Sequence, residues 1–194
     1  EQSSINGKLT ANINLNNKEW TGIGLFDKRY AGTFDGDGRT ISGLKSSDGL
    51  FDSIDETGVV KNLSVSGFVS GNGNLGGIAG SSKGAIENCS FSGSIKNSSS
   101  YSTGGIVGRM EGGASVIKNC VNYAVIENTC VAFNSPLNTG GIAGYTYGVI
   151  ENCYNTGSVT ADTSKTTNRA IGGIVGTLYA SGTLKNSYNT GKIT

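Results

Sequence analysis

The chain contains no histidine. That absence removes Ser-His-Asp and Cys-His catalysis, HExxH zinc sites and any imidazole general base. Proline, tryptophan and methionine occur once each. Charged residues make up only 15% of the 194, and 15 Lys and Arg against 14 Asp and Glu leave a net charge of +1. So even a balance excludes a protein built on broad attraction to nucleic acid or to an anionic membrane. No apolar run approaches the roughly 20 residues of a membrane-spanning helix, and no membrane insertion is expected of this segment. The opening EQSSINGKLT has neither a basic n-region nor an apolar h-region, and it starts at Glu1. It reads as a processed chain.

What is abundant is glycine, with 32 residues. Asn, Ser and Thr are also frequent, and all four are poor interior helix residues. Ile, Val and Leu nevertheless recur at intervals, which a disordered chain of this small net charge would not need.

The recurrence is an internal repeat. Gly76-Gly77-Ile78-Ala79-Gly80 returns as GGIVG at 104, GGIAG at 140 and GGIVG at 172, so the starts lie 28, 36 and 32 residues apart. A degenerate copy, DGLFD, occupies Asp48–Asp52. After each comes a second block. Five copies align without gaps: VKNLSVSGFV (60–69), IENCSFSGSI (86–95), IKNCVNYAVI (117–126), IENCYNTGSV (150–159) and LKNSYNTGKI (184–193).

The first and tenth columns are always aliphatic. The second alternates in sign through Lys61, Glu87, Lys118, Glu151 and Lys185. The third is always asparagine: Asn62, Asn88, Asn119, Asn152 and Asn186. The fourth holds Leu63, Cys89, Cys120, Cys153 and Ser187. Short apolar runs separated by turn residues, with no helical period, predict an all-β parallel β-solenoid of three-strand coils. Stacking would set column members about 4.8 Å apart. Aliphatic columns then line the core, and asparagine takes the left-handed turn and ladders along the axis. Alternating charges meet opposite neighbours. The glycine blocks provide close backbone approach. Four copies without a βαβ pattern do not fit a nucleotide loop.

Residues 1–45 differ from the rest, and the expectation is an N-terminal cap and first coil, followed by one repeat domain over 46–194. Lys8–Leu15 alternates with Leu9, Ala11, Ile13 and Leu15 on one face, as a half-buried strand does. Trp20 is the expected plug. GKIT directly follows a repeat strand, so the natural chain is expected to continue.

The run YAGTFDGDGRTISGL (30–44), then DGLFD, then GGIVG…GTLKNSYNTGKI resembles the GLUG-type repeats of bacterial surface proteins. These include adhesin-like proteins and immunoglobulin A1-specific metallopeptidase precursors. The resemblance implies a right-handed β-helix in a secreted or cell-surface bacterial protein. It implies no catalysis, since a metallopeptidase zinc centre needs histidines that this sequence lacks.

Other constellations read as structural. Asp35 and Asp37 in FDGDGRT suggest the start of a calcium loop, but Arg39 and Ser46 stand where further ligands belong. A Gly/Asp turn explains them, and no cofactor is expected. Asp48, Asp52, Asp55 and Glu56 join the two as candidate carboxylates for glycoside hydrolysis, with no spacing that selects a pair. Cys89, Cys120 and Cys153 read as small apolar core residues, because Leu and Ser share their column. Cys130 lies outside it. Tyr101, Tyr145, Tyr147, Tyr154, Tyr179 and Tyr188 could form an aromatic strip for a glycan, with Tyr145 and Tyr179 near equivalent positions after their glycine blocks. Phe133 and Asn134, in the longest connection (127–139), could add contacts together with 160–171. The expected function is therefore a non-catalytic extracellular stalk or adhesion module. Its expected partner is a glycan or a host extracellular protein. An accessory recognition segment of a secreted peptidase or polysaccharide-active enzyme is the alternative.

Overall fold

A computed structural model describes residues 4–99, 101–129, 137–162 and 169–194. Cys130, Phe133 and Asn134 lie outside the described residues. The strands of the described residues form three parallel sheets of 14, 5 and 4 strands. One coil illustrates the path. Leu75–Gly76 belongs to the four-stranded sheet, Ala79–Ser82 to the five-stranded sheet and Ala85–Asn97 to the long sheet. The next coil repeats the order with Thr103–Gly104, Val107–Met110 and Val116–Lys118. The chain is a parallel β-helix.

Register follows the sequence columns. Val60 pairs with Ile86, Ile86 with Ile117, Ile117 with Ile150, and Ile150 with Leu184. The first four of these are completely buried or nearly so, and Val69, Ile95, Ile126 and Val159 likewise. An apolar column between three polar-backbone sheets satisfies the ladder hydrogen bonds while removing the side chains from water.

The glycine blocks have a specific steric cause. A Cβ on Gly105 would stand 2.2 Å from Asn122 Cγ and 2.3 Å from the Gly141 carbonyl. On Gly77 it would enter the Phe91 ring at 2.0 Å, and on Gly141 and Gly173 it would strike Asn155 and Asn189 at 2.5 Å. The second glycine of each block thus faces a side chain from the opposite sheet.

The N-terminal segment departs from the expectation of one strand over 8–15. Gly7–Lys8, Ile13–Asn14 and Glu19–Trp20 are three short strands, each pairing in parallel with Thr33–Ser46. Leu9 is buried and Leu15 packs on the core, but Ala11 and Ile13 are exposed. Alternation fails because the chain leaves the sheet between the short strands. Trp20 is half-buried and its Nε1 donates to the Leu50 carbonyl at 2.9 Å.

Candidate functional site

Asparagine at the turn of each coil takes the left-handed backbone: φ is 54° at Asn62, 52° at Asn88, 53° at Asn119, 53° at Asn152 and 46° at Asn186. Among non-glycine residues asparagine tolerates this conformation well, because its short amide bonds locally. The amides also bond to one another. Asn88 Nδ2 donates to Asn62 Oδ1 at 3.0 Å, Asn119 to Asn88 at 3.0 Å, and Asn152 to Asn119 at 3.2 Å.

Asp35 heads this row, accepting from Asn62 Nδ2 at 3.0 Å and from the Asp37 amide at 2.9 Å. The Asn62 amide above all, with Lys61 and Lys8 nearby, holds its carboxyl below the usual range. Asp37 sits at φ 51° and pairs with Lys8 at 3.1 Å. The register shifts between Asp35 and Arg39, so DGDG forms a bulge in the first long strand. Among the described residues no group of three or more His, Cys, Asp or Glu is placed to hold a metal. Of the other carboxylates, Asp48 accepts from Ser47 Oγ and Asp55 from the Glu56 amide, each at 2.8 Å. Burial, then the charge of Asp48, pushes the Asp52 carboxyl up.

Cys89, Cys120 and Cys153 are buried free thiols. Each Sγ lies 3.2–3.3 Å from the carbonyl two residues back, at Glu87, Lys118 and Glu151. Ser187 makes the same bond to Lys185 at 2.7 Å. Where the column holds Cys or Ser the side chain donates to this carbonyl, whereas Leu63 fills the same place by apolar packing alone.

A second asparagine row runs through the interior. Asn122 and Asn155 are completely buried. Asn122 Nδ2 donates to Asn155 Oδ1, and Asn155 Nδ2 to Asn189 Oδ1, both at 2.7 Å. Each amide also reaches the carbonyl two residues on, at Ala124, Gly157 or Gly191. The signal was present in the sixth column of the alignment, where Val65 and Phe91 give way to Asn122, Asn155 and Asn189.

The tyrosines divide between two sheets instead of forming one strip. On the long sheet Tyr154 pairs with Tyr188, and their rings stack at 5.3 Å and 5°. Tyr123, which sequence reasoning passed over, meets Tyr154 edge-on, with the hydroxyls 3.3 Å apart. That bond is the main cause of a raised Tyr154 phenol. Tyr101 is exposed and has no ring partner among the described residues.

The other group stands on the five-stranded sheet. Arg109 pairs with Tyr145, and Tyr145 with Thr177. Two residues further on, in the same register, Tyr147 lies beside Tyr179, so Tyr147 rather than Tyr145 is the counterpart of Tyr179. Ring centroids are 4.6 Å apart for Tyr147–Tyr179, 5.1 Å for Tyr145–Tyr147 and 6.1 Å for Tyr145–Tyr179. Their planes are inclined by 55°, 61° and 34°. The Arg109 guanidinium carbon lies 4.8 Å from the Tyr145 ring centre. Burial, with Tyr147 adding to it, pushes the Tyr145 phenol up to about 12 against the opposing pull of Arg109. Tyr179 is 51% exposed. Tyr145 and Tyr147 are half-buried, so the accessible ring surface beside the cation is chiefly that of Tyr179.

The GLUG motif matches residues 71–96, 135–160 and 167–194. Three segments of the chain thus match this motif. The intervening coil falls outside the matched GLUG segments, yet Val116–Lys118 keeps register with GLUG coils on both sides. Over 92 residues the chain is 33% identical to halomucin of Haloquadratum walsbyi, covering 44% of this chain. The chain spans about 1% of halomucin's length. In fold it is similar to a Bacteroides ovatus protein classed as an immunoglobulin A1 protease. The TM-score is 0.78 at 24% identity, over 98% of this chain and 70% of that one. An IgA1 protease structure matches at TM-score 0.60 and 18% identity, over 96% of this chain and 18% of that one. Likeness at such identity concerns the fold.

Proposed function

We propose that this chain is a non-catalytic module of an extracellular or cell-surface protein, a stiff solenoid that presents a sugar-binding face. Residues 1–45 serve as cap and first coil, and the GLUG coils carry the face along the axis. The observation that supports the reading is the cluster of Tyr145, Tyr147 and Tyr179 beside Arg109. Sugars bind proteins by laying the apolar face of a pyranose on an aromatic ring, with a few polar groups fixing orientation.

A second reading makes the same face the substrate-recognition part of a secreted peptidase or polysaccharide-active enzyme. The fold likeness to IgA1 protease structures over nearly all of this chain favours it. In the peptidase case residues 1–194 would not supply the zinc ligands, since they contain no histidine.

The test is a glycan array probed with the chain and with a Tyr147→Ala/Tyr179→Ala variant. The expected result is binding to a limited set of glycans, abolished in the variant while its melting temperature stays close to the parent. Binding that survives the double substitution contradicts the site.

A further inference from the structure

We infer that the ligand of the tyrosine cluster is an acidic sugar, a pyranose bearing a carboxylate that Arg109 reads. The inference rests on the sugar-binding reading above and adds the chemical class. It begins from how this molecule handles its cations. Lys8 has Asp37, Arg29 has Glu111, Lys45 has Glu19, Lys61 has Asp35, Lys96 has Glu127 and Lys118 has Glu151. Arg109, like Lys28 and Lys83, makes no salt bridge among the described residues; what sets it apart is that its guanidinium lies on the Tyr145 ring, at the edge of the tyrosine cluster.

The ring lies against one side of the guanidinium carbon. Arginine keeps its charge at any physiological pH, and its planar fork of N–H donors matches a carboxylate bidentately. Lying against an aromatic ring costs it none of those donors. The column neighbour on the other side is Ser81, too short to crowd it. Arg109 and Tyr179 stand two rungs apart, about 10 Å along the axis, with Tyr145 and Tyr147 between them. A segment of about two sugar rings covers that distance, stacked on Tyr147 and Tyr179 at one end and holding its carboxylate to Arg109 at the other.

Two sources offer this chemistry, uronic acid polymers and sialylated glycans. Calorimetry on the 194-residue chain with tri-galacturonate and its methyl ester, and with sialyllactose and lactose, separates them. One carboxylated probe is expected to bind roughly tenfold tighter than its uncharged partner, the increment of a charge-assisted hydrogen bond. Added salt should shrink that preference. Arg109→Gln should remove it at an unchanged melting temperature, whereas Arg109→Lys should keep part of it. Equal binding within both pairs, or a preference that survives Arg109→Gln, overturns the acidic-sugar assignment while leaving Tyr-dependent sugar binding intact. Failure of both carboxylated probes to bind also overturns it. Absence of any Tyr-dependent glycan on the array overturns the underlying reading as well.

Discussion

Tyr147 and Tyr179 occupy one column on successive rungs, yet their rings meet at 4.6 Å with planes inclined by 55°. Tyr154 and Tyr188, also one rung apart, stack at 5°. The same pairing of residue types therefore gives a flat stack on one sheet and an inclined cluster on the other. Tyr145 packs against both Tyr147 and Tyr179, whereas among the described residues Tyr123 on the long sheet meets only the Tyr154 ring.

The inclined cluster has a titration signature. The Tyr145 phenol is pushed up to about 12, from an ordinary value of 10.0. In the unfolded chain the proton leaves first, so the contribution of Tyr145 is intact below about pH 10 and is lost as pH rises through the folded value. A near-ultraviolet difference titration between the parent and Tyr145→Phe should be centred near 12. A difference curve centred at the ordinary phenol value would contradict the packing described.

Asn119 is exposed, yet its replacement should behave like a core change. Asn119→Leu breaks the bonds to Asn88 and Asn152 and puts a branched side chain at φ 53°. The expected loss is roughly 1–3 kcal/mol by chemical denaturation. Asn119→Gly keeps the backbone conformation without the amide and should lose less. Equal stability of parent and Asn119→Leu would remove the ladder from the account.

Gly105→Ala should destabilise by about 1–3 kcal/mol, because its Cβ has only the Asn122 side chain and the Gly141 carbonyl to enter. Gly113 has nothing within 4 Å of an added Cβ, and Gly113→Ala should stay within about 0.5 kcal/mol of the parent. Melting both variants side by side distinguishes a steric requirement from a general preference for glycine.

The column thiols should be unreactive. Burial raises the Cys120 thiol well above its ordinary value, and the bond to Cys120, then burial, raises Cys153. The thiolate is the reacting species, so both effects slow labelling. In a Cys130→Ser background, Cys89, Cys120 and Cys153 should label only after denaturation. Rapid labelling of any of them in the native protein would contradict their burial.

These columns show why much of the fold could be read in advance. A stack converts sequence period directly into spatial neighbours, so the invariant Asn and the aliphatic positions at 60, 86, 117 and 150 disclosed their own contacts. What resisted reading lay off the period or across the coil. Asn122 shares a column with Val65 and Phe91, which masks its amide row, and its packing against Gly105 joins two different blocks of one coil. The pairing of Tyr147 with Tyr179 was hidden because Tyr145, two residues nearer its glycine block, offers itself as the mate of Tyr179. Arg109 carries no repeat signal, and its place beside Tyr145 emerges only from the register.

The most direct test of the central claim is an amide chemical-shift map of the isotope-labelled chain as an array-selected glycan is added. The account predicts that the shifts concentrate at Arg109, Tyr145, Tyr147 and Tyr179 and leave the Asn119 and Tyr154 turns unmoved. Shifts centred on Tyr123, Tyr154 and Tyr188, or spread evenly along the axis, would contradict it.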